Sequence, residues 1–188
     1  MAKSSNQTRK KPNTRYMFGR REILTDEKEI TTENLLAVLR DAYTTHLANK
    51  NEMKYLYEYY KGKQPILERT KNIRSDVMNI ITENRANAIV AFKTGYLVGE
   101  PIQYTSRGDT EYGSDDISKL NDFMVMESKS AKDRELVDWQ NICGTAYRMV
   151  LPNATKDSDC PFEIFTLNPE YAFDIRWSGI TKRKLASV

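Results

Sequence analysis

The chain is poor in the side chains that most often move protons, attack carbonyls or hold metals. It has one histidine, His46, and two cysteines, Cys143 and Cys160, among 188 residues. A catalytic or metal-bound histidine needs a second ligand, a nucleophile or an orienting carboxylate close by. His46 stands among Thr44, Thr45 and Asn49, and its reading is a surface or core side chain. The cysteines are too few and too far apart for a C-x-x-C zinc or redox pair, which leaves two reduced thiols. No apolar run approaches the roughly 20 residues that span a bilayer. The N-terminus is polar and basic with no apolar stretch behind it, so it does not read as a secretory signal. The sequons beginning at Asn6 and Asn153 carry no weight without a secretory route.

Phosphate-binding and hydrolytic motifs are missing as well. Gly95 and Gly99 have G-x-x-x-G spacing but lie at the end of a helical pattern, without the Lys-Ser/Thr of a P-loop. A restriction-type nuclease would want an acid on one strand and Glu-x-Lys on the next, and no convincing Glu-x-Lys falls on a strand. Asp115 and Asp116 sit where a helix begins, and acids there complement the helix dipole. Asp157 and Asp159 lie in a probable hairpin loop, where Asp is common for turn reasons. Arg107-Gly108-Asp109 reads as a turn. No catalytic residue, metal ligand or cofactor is therefore assigned.

What is present is an ordinary globular composition, 39% hydrophobic and 29% charged, which fits a modest core and a wet surface. The charge is unevenly placed. Residues 1–24 hold seven basic side chains and one acid, a net of +6, which leaves −3 for the rest of a chain whose net charge is +3. Residues 1–22 are rich in Ser, Asn, Gln, Thr, Lys and Arg and read as a disordered basic arm. Arg9, Lys10, Lys11, Arg15, Arg20 and Arg21 are its candidate nucleic-acid contacts. Residues 23–188 form the folded unit.

The apolar spacing predicts a helix over residues 32–49, capped by Thr31 or Thr32, with Leu35, Leu36, Leu39, Tyr43 and Leu47 on one face. A second helix or helical turn covers 52–61 through Met53, Leu56, Tyr57 and Tyr60, and Gly62 is placed to take a left-handed conformation beyond it. A third helix covers 83–98, with Ala86, Ile89, Val90, Lys93, Tyr96 and Leu97 on the period. Gly99 is its expected left-handed terminator, and Pro101 prevents continuation. Residues 102–106 are β-prone. Helical pattern returns over 115–143, with Ile117, Leu120, Phe123, Met124 and Glu127 in one part and Leu136, Trp139, Gln140 and Cys143 in the other. Residues 128–132 are a break or a polar turn between them, and Gly144 ends the region. Strand candidates at 146–151, 162–167 and 171–177 suit an antiparallel meander. Helices first and a small antiparallel sheet afterwards define an α+β fold.

Tyrosines at 55, 57, 59, 60, 96, 104, 112, 147 and 171 could stack bases, but a stacking platform needs interleaved basic residues on a sheet face. The densest group lies on a helix with Glu52 and Glu58, which favours core or subunit contact. Leu56, Tyr57, Tyr59, Tyr60 and Tyr96 are the interface candidates. The segment from Met53 to Tyr60 holds more apolar and aromatic area than one side of a short helix hides, so part of it is expected exposed and self-associating.

Four segments carry a family resemblance. Tyr59-Tyr60-Lys61-Gly62 followed by Pro65-Ile66 is an aromatic-Gly element. Asn84, Ile89-Val90 and then Gly95-Tyr96-Leu97-Val98-Gly99-Glu100-Pro101-Ile102-Gln103-Tyr104 form a helix-to-strand element. Gly144-Thr145-Ala146-Tyr147 turns into a strand, and Leu167-Asn168-Pro169-Glu170-Tyr171-Ala172-Phe173-Asp174-Ile175 is a proline-acid element before an aromatic strand. In this order, over about residues 55–180, they resemble the portal proteins of tailed bacteriophages, of the siphophage type of Gram-positive hosts. In that resemblance Gly62, Pro65, Gly95, Gly99, Pro101 and Gly144 are structural motif positions. The family's chains are normally more than twice this length, and the likeness covers only the N-terminal wing. The stem, clip and crown have no counterpart here, which implies a truncated or fragmentary form.

The resemblance implies a non-enzymatic structural subunit of the virion, assembled in the host cytoplasm without a membrane. It implies a ring of about twelve copies at one capsid vertex. Its implied partners are capsid and scaffolding proteins, terminase, head-completion proteins and the double-stranded DNA passing the channel. The alternative is a small nucleic-acid-binding protein using the basic arm and the tyrosines, recognised by binding that weakens steeply with salt. A hydrolase or nuclease is a further rival, recognised by carboxylates converging on a cleft.

Overall fold

Nothing between Leu35 and Tyr60 breaks a helix: there is no glycine or proline, and the turn formers are scattered. A computed structural model describes residues 20–69, 80–106, 114–153 and 159–188, and in it this stretch is one helix, α1 (Leu35–Tyr60). The two helices expected on either side of residue 50 are thus continuous. A two-residue strand, β1 (Leu24–Thr25), precedes α1, and a single 3-10 turn at Pro65–Glu68 follows it. Then come α2 (Arg85–Val98), α3 (Ser114–Met126), α4 (Lys129–Cys143), β2 (Tyr147–Pro152), β3 (Phe162–Leu167), β4 (Asp174–Trp177) and β5 (Lys184–Ser187). The architecture is α+β, helical in its first half.

The expected meander resolves into two sheets. β2 and β3 form an antiparallel hairpin in register from Tyr147↔Leu167 to Pro152↔Phe162. The third strand leaves that hairpin: β4 is central in a second sheet, parallel to β1 and antiparallel to β5. Pro169, fully buried in the turn between β3 and β4, lacks the N–H a continuing ladder would use. Neither β1, only two residues long, nor β5 was foreseen. Residues 102–106 do not join a sheet either. The Asn121 side chain takes the partner's place there, its Oδ1 accepting from Tyr104 N (3.0 Å) and its Nδ2 donating to Tyr104 O (2.9 Å).

The face of α1 that is buried is not the leucine face. Val38, Ala42, His46, Asn49 and Met53 point inward, while Leu36 is 81% exposed and Leu35, Tyr43 and Leu47 are exposed too. The inward stripe includes a histidine and an asparagine, so hydrophobicity alone passes over it. Both polar groups find backbone partners. His46 Nε2 lies 3.0 Å from Glu170 O, and the ring stacks on Phe173 at 4.5 Å. Asn49 Oδ1 accepts from Arg21 N (3.0 Å) and its Nδ2 donates to Arg21 O (2.9 Å). Residues 20–22 therefore belong to the body and not to the arm; Glu22 also meets Lys182 at 2.6 Å. Ile23, Val38, Ala42, Phe173 and Ile175 form one core cluster between α1 and the second sheet. The cap differs from expectation as well. Asn34 precedes α1, its Oδ1 accepting from Thr31 N and its Nδ2 donating to Glu29 O, while Thr31 and Thr32 do not cap.

Helix α4 is the member that touches the rest. Thr94 Oγ1 of α2 donates to Asp138 at 2.5 Å, and the Arg134 guanidinium donates to Gly99 O (2.9 Å), serving the carbonyl end of α2. Trp139 meets Tyr57 of α1 at 5.2 Å, and Cys143 Sγ lies 3.9 Å from Met53 O. Ser128 separates α3 from α4 with φ +51°, which places the break at Glu127 and Ser128, while residues 129–132 are already the first turn of α4. Glu127 accepts from Lys132 and from Ile164 N of β3, both at 2.9 Å. Six residues on, buried Asp133 accepts from Lys129 (2.5 Å) on its own helix and pairs with Arg148 (2.6 Å) of β2. Burial alone would raise the Asp133 pKa, but hydrogen bonds from Lys129 and Arg148 and their charges outweigh it, and the net shift is downward.

Two of the three expected glycine terminators behave as read: Gly62 has φ +93° and Gly144 φ +70°. Gly99 does not, with φ −63° and ψ −37°. Its requirement is steric: a Cβ there would collide with the Gly95 carbonyl oxygen. Gly99→Val is expected to cost about 1–3 kcal/mol by overpacking, read as a shift in urea midpoint; an unshifted midpoint would show that the turn relaxes freely.

Asp133→Ala should cost about 3 kcal/mol, because it leaves Lys129 and Arg148 without their buried partner. A folded-state pKa below the unfolded one makes the contribution complete above the ordinary carboxylate range and lost as pH falls through the folded value. Urea midpoints from about pH 7 to about pH 3 should fall more steeply for the wild type than for Asp133→Asn. Equal slopes would mean that Asp133 has no part in the acid limb.

Candidate subunit interface

The described residues do not converge on a reactive centre. They contain no group of three His, Cys, Asp or Glu placed to hold a metal ion. His46 is locked into the core by Glu170 and Phe173. Asp115 and Asp116 occupy the first turn of α3, as their position in the sequence suggested. Cys143 is buried, and its thiol is pushed up to about 11, mainly by desolvation; Arg20 opposes the shift and Glu170 adds to it. A thiol so placed is a poor nucleophile at neutral pH. Cys160 is likewise buried, its Sγ 3.1 Å from Phe162 O. An open cleft of about 320 Å³, lined by Lys28, Glu29, Trp177, Thr181 and Arg183, has mixed charge and no converging carboxylates. Among the described residues, no helix is long and apolar enough to cross a membrane.

Of the arm's basic residues, Arg9, Lys10, Lys11 and Arg15 lie outside the described residues, as do Arg107-Gly108-Asp109, Tyr112 and Asp157. Arg20 is half-buried beside Cys143, and Arg21 is fastened through its backbone to Asn49.

The tyrosine segment of α1 is mostly used within the chain. Met53 is fully buried; Leu56, Tyr57 and Tyr60 are half-buried. Tyr57 lies between Trp139 and Tyr60, with Lys61 Nζ 4.3 Å from its ring centre. Tyr59 is partly exposed and leans on Tyr55. Part of the segment is exposed, as expected, at Tyr55 and Tyr59, but most of it is covered, because a 26-residue helix lying against α4 buries more of its side chains than a short helix would.

The surplus is on α2. This helix carries two charges, Arg85 and Lys93, in 14 residues and is apolar on nearly every side. A helix of that kind is ordinarily covered all round. Here Val90, Thr94 and Val98 face inward, and the opposite side is open. Phe92 is 74% exposed and Tyr96 82%; their rings stack at 6.4 Å, with Ile89 and Leu97 exposed beside them. Of the interface candidates, Tyr96 is the one on this face. Ile89 and Leu97 fall on the helical period in the sequence together with buried Val90, and Phe92 lies off that period. Two apolar stripes on one helix leave no periodic signal to choose between them.

The hairpin has a second open face. Its inner side is fixed by Ile164, which is buried, by Phe162, edge-on to Phe123 at 6.2 Å, and by Thr166, whose Oγ1 donates to Lys132 O. Strand alternation puts Tyr147, Met149, Leu151, Glu163, Phe165 and Leu167 on the outer side. Met149, Leu151 and Phe165 are exposed there, with Met149 directly opposite Phe165.

No curated protein matches the chain. A family model described as phage portal protein, SPP1 Gp6-like, matches residues 40–185. The matched stretch takes in most of α1, the three later helices, the hairpin, β4 and β5 as far as Leu185, while β1 lies before it. A helical half packed on α4, with open apolar faces on α2 and the hairpin, is thus joined to a match over more than half of the sequence, and the chain belongs to the SPP1 Gp6-like family of phage portal proteins.

Proposed function

We propose that the chain is a structural subunit of a portal ring, the assembly at a capsid vertex through which DNA is packaged and to which the tail attaches. The body from residue 20 onward is assigned to the wing of that subunit, with residues before it as a basic arm. The observation that carries this reading is the uncovered apolar side of α2. A chain of a portal family with Phe92 and Tyr96 exposed side by side has a surface suited to a protein neighbour. The work of such a subunit is to shape and to hold, through contacts with copies of itself and with other head proteins. The ring size, the passage of DNA and the contacts with capsid, scaffolding, terminase and head-completion proteins are part of the same proposal.

Sedimentation over a wide concentration range tests it. The wild-type chain is expected to self-associate, and Phe92→Glu to shift the association by about thirtyfold or more while leaving the thermal melt within a few degrees. A wild-type monomer at every concentration would overturn the reading. Nucleotide hydrolysis and magnesium-dependent DNA cleavage are expected to be absent, and cleavage abolished by Asp115→Ala or Asp116→Ala would overturn it from the other side.

A further inference from the structure

We infer that the open side of α2 in one copy of this chain docks on the outer face of the β2–β3 hairpin in the next. The inference rests on the ring-subunit reading and names the two surfaces that meet. The two faces are unlike, and each occurs once among the described elements. A contact between unlike faces is heterologous: it leaves each copy with one donor and one acceptor surface, and repetition closes a ring or extends a filament.

Size, apolarity and charge match the two faces to each other. A 14-residue helix is about 21 Å long, and strands of six residues run about 20 Å. Ile89, Phe92 and Tyr96 would lie over Met149, Leu151 and Phe165. The α2 segment has two basic side chains, Arg85 and Lys93, and no acid. The outer hairpin face has one charged residue, Glu163, since Arg148 points inward to Asp133. A third exposed stripe, Leu36, Tyr43 and Leu47 on α1, does not complement α2. It carries Arg40 within it and would set like charge against Lys93.

The test uses two single variants of the full chain. Phe92→Glu sets a carboxylate against Glu163, and Met149→Lys sets an ammonium against Lys93. Each is expected to weaken self-association by about thirtyfold or more. Mixed in equal amounts, the two variants should associate with each other, since each retains the face the other has lost. Mass photometry and sedimentation read this directly, and thermal melts confirm the fold. Where a melt shows unfolding, Tyr96→Glu or Leu151→Lys replaces that variant. If Met149→Lys and Leu151→Lys assemble like the wild type while Phe92→Glu does not, α2 meets some other surface: this inference fails and the ring-subunit reading stands. Loss of assembly on Leu36→Glu alone would direct the contact to α1 and also overturn it. A wild-type chain that stays monomeric sinks both.

Discussion

The buried carboxylate of Asp133 is the constraint on which the arrangement depends. It joins Lys129 on its own helix to Arg148 on β2, so the hairpin is held to α4 by an ion pair shielded from water. Glu127, six residues earlier, does the same for β3 through Lys132 and the Ile164 amide. Charges withdrawn from solvent must be matched in place and direction, since one left alone costs several kcal/mol. The matched charges therefore fix where the hairpin sits on α4, where an apolar contact would have tolerated several positions.

The same device recurs wherever elements meet. Thr94 and Asp138 join α2 to α4, Arg134 closes the carbonyl end of α2, and Asn84 donates to Tyr60 O while its Oδ1 accepts from Asn87 N. Asn49 holds the chain at Arg21 with a pair of hydrogen bonds that imitates a strand, and Asn121 does so at Tyr104. Directional polar contacts orient the elements, and the buried apolar cluster between α1 and the second sheet is small. A subunit so built can leave α2 and the outer hairpin apolar and uncovered without losing its own shape.

The order of elements was legible from breakers and periods. Gly62 and Gly144 marked helix ends because a positive φ favours glycine, and residues 162–167 stood out as a strand between turns rich in Pro, Asn, Asp and Ser. The family was legible from four short elements in order. The burying face of α1 was not, because His46 and Asn49 stand in it and only Glu170 and Arg21, distant in sequence, make them interior groups. The uncovered face of α2 was legible as an excess of apolar residues, but not as to which side was in excess. That choice lies with α4, whose Asp138 and Asn141 meet Thr94.

The sequence by itself determined the local states: where the chain coils, where it stops, and that it has too few reactive side chains gathered in sequence to announce a catalytic site. Those depend on interactions within a few residues. Tertiary structure decided which stripe of each helix is inside, that the third strand candidate joins a separate sheet with β1 and β5, and that Gly99 is needed for space instead of for its torsion angle. The helix stripes and the sheet depend on partners from other elements, and the Gly99 constraint on the way α2 closes over Gly95; hydropathy patterns carry no record of either.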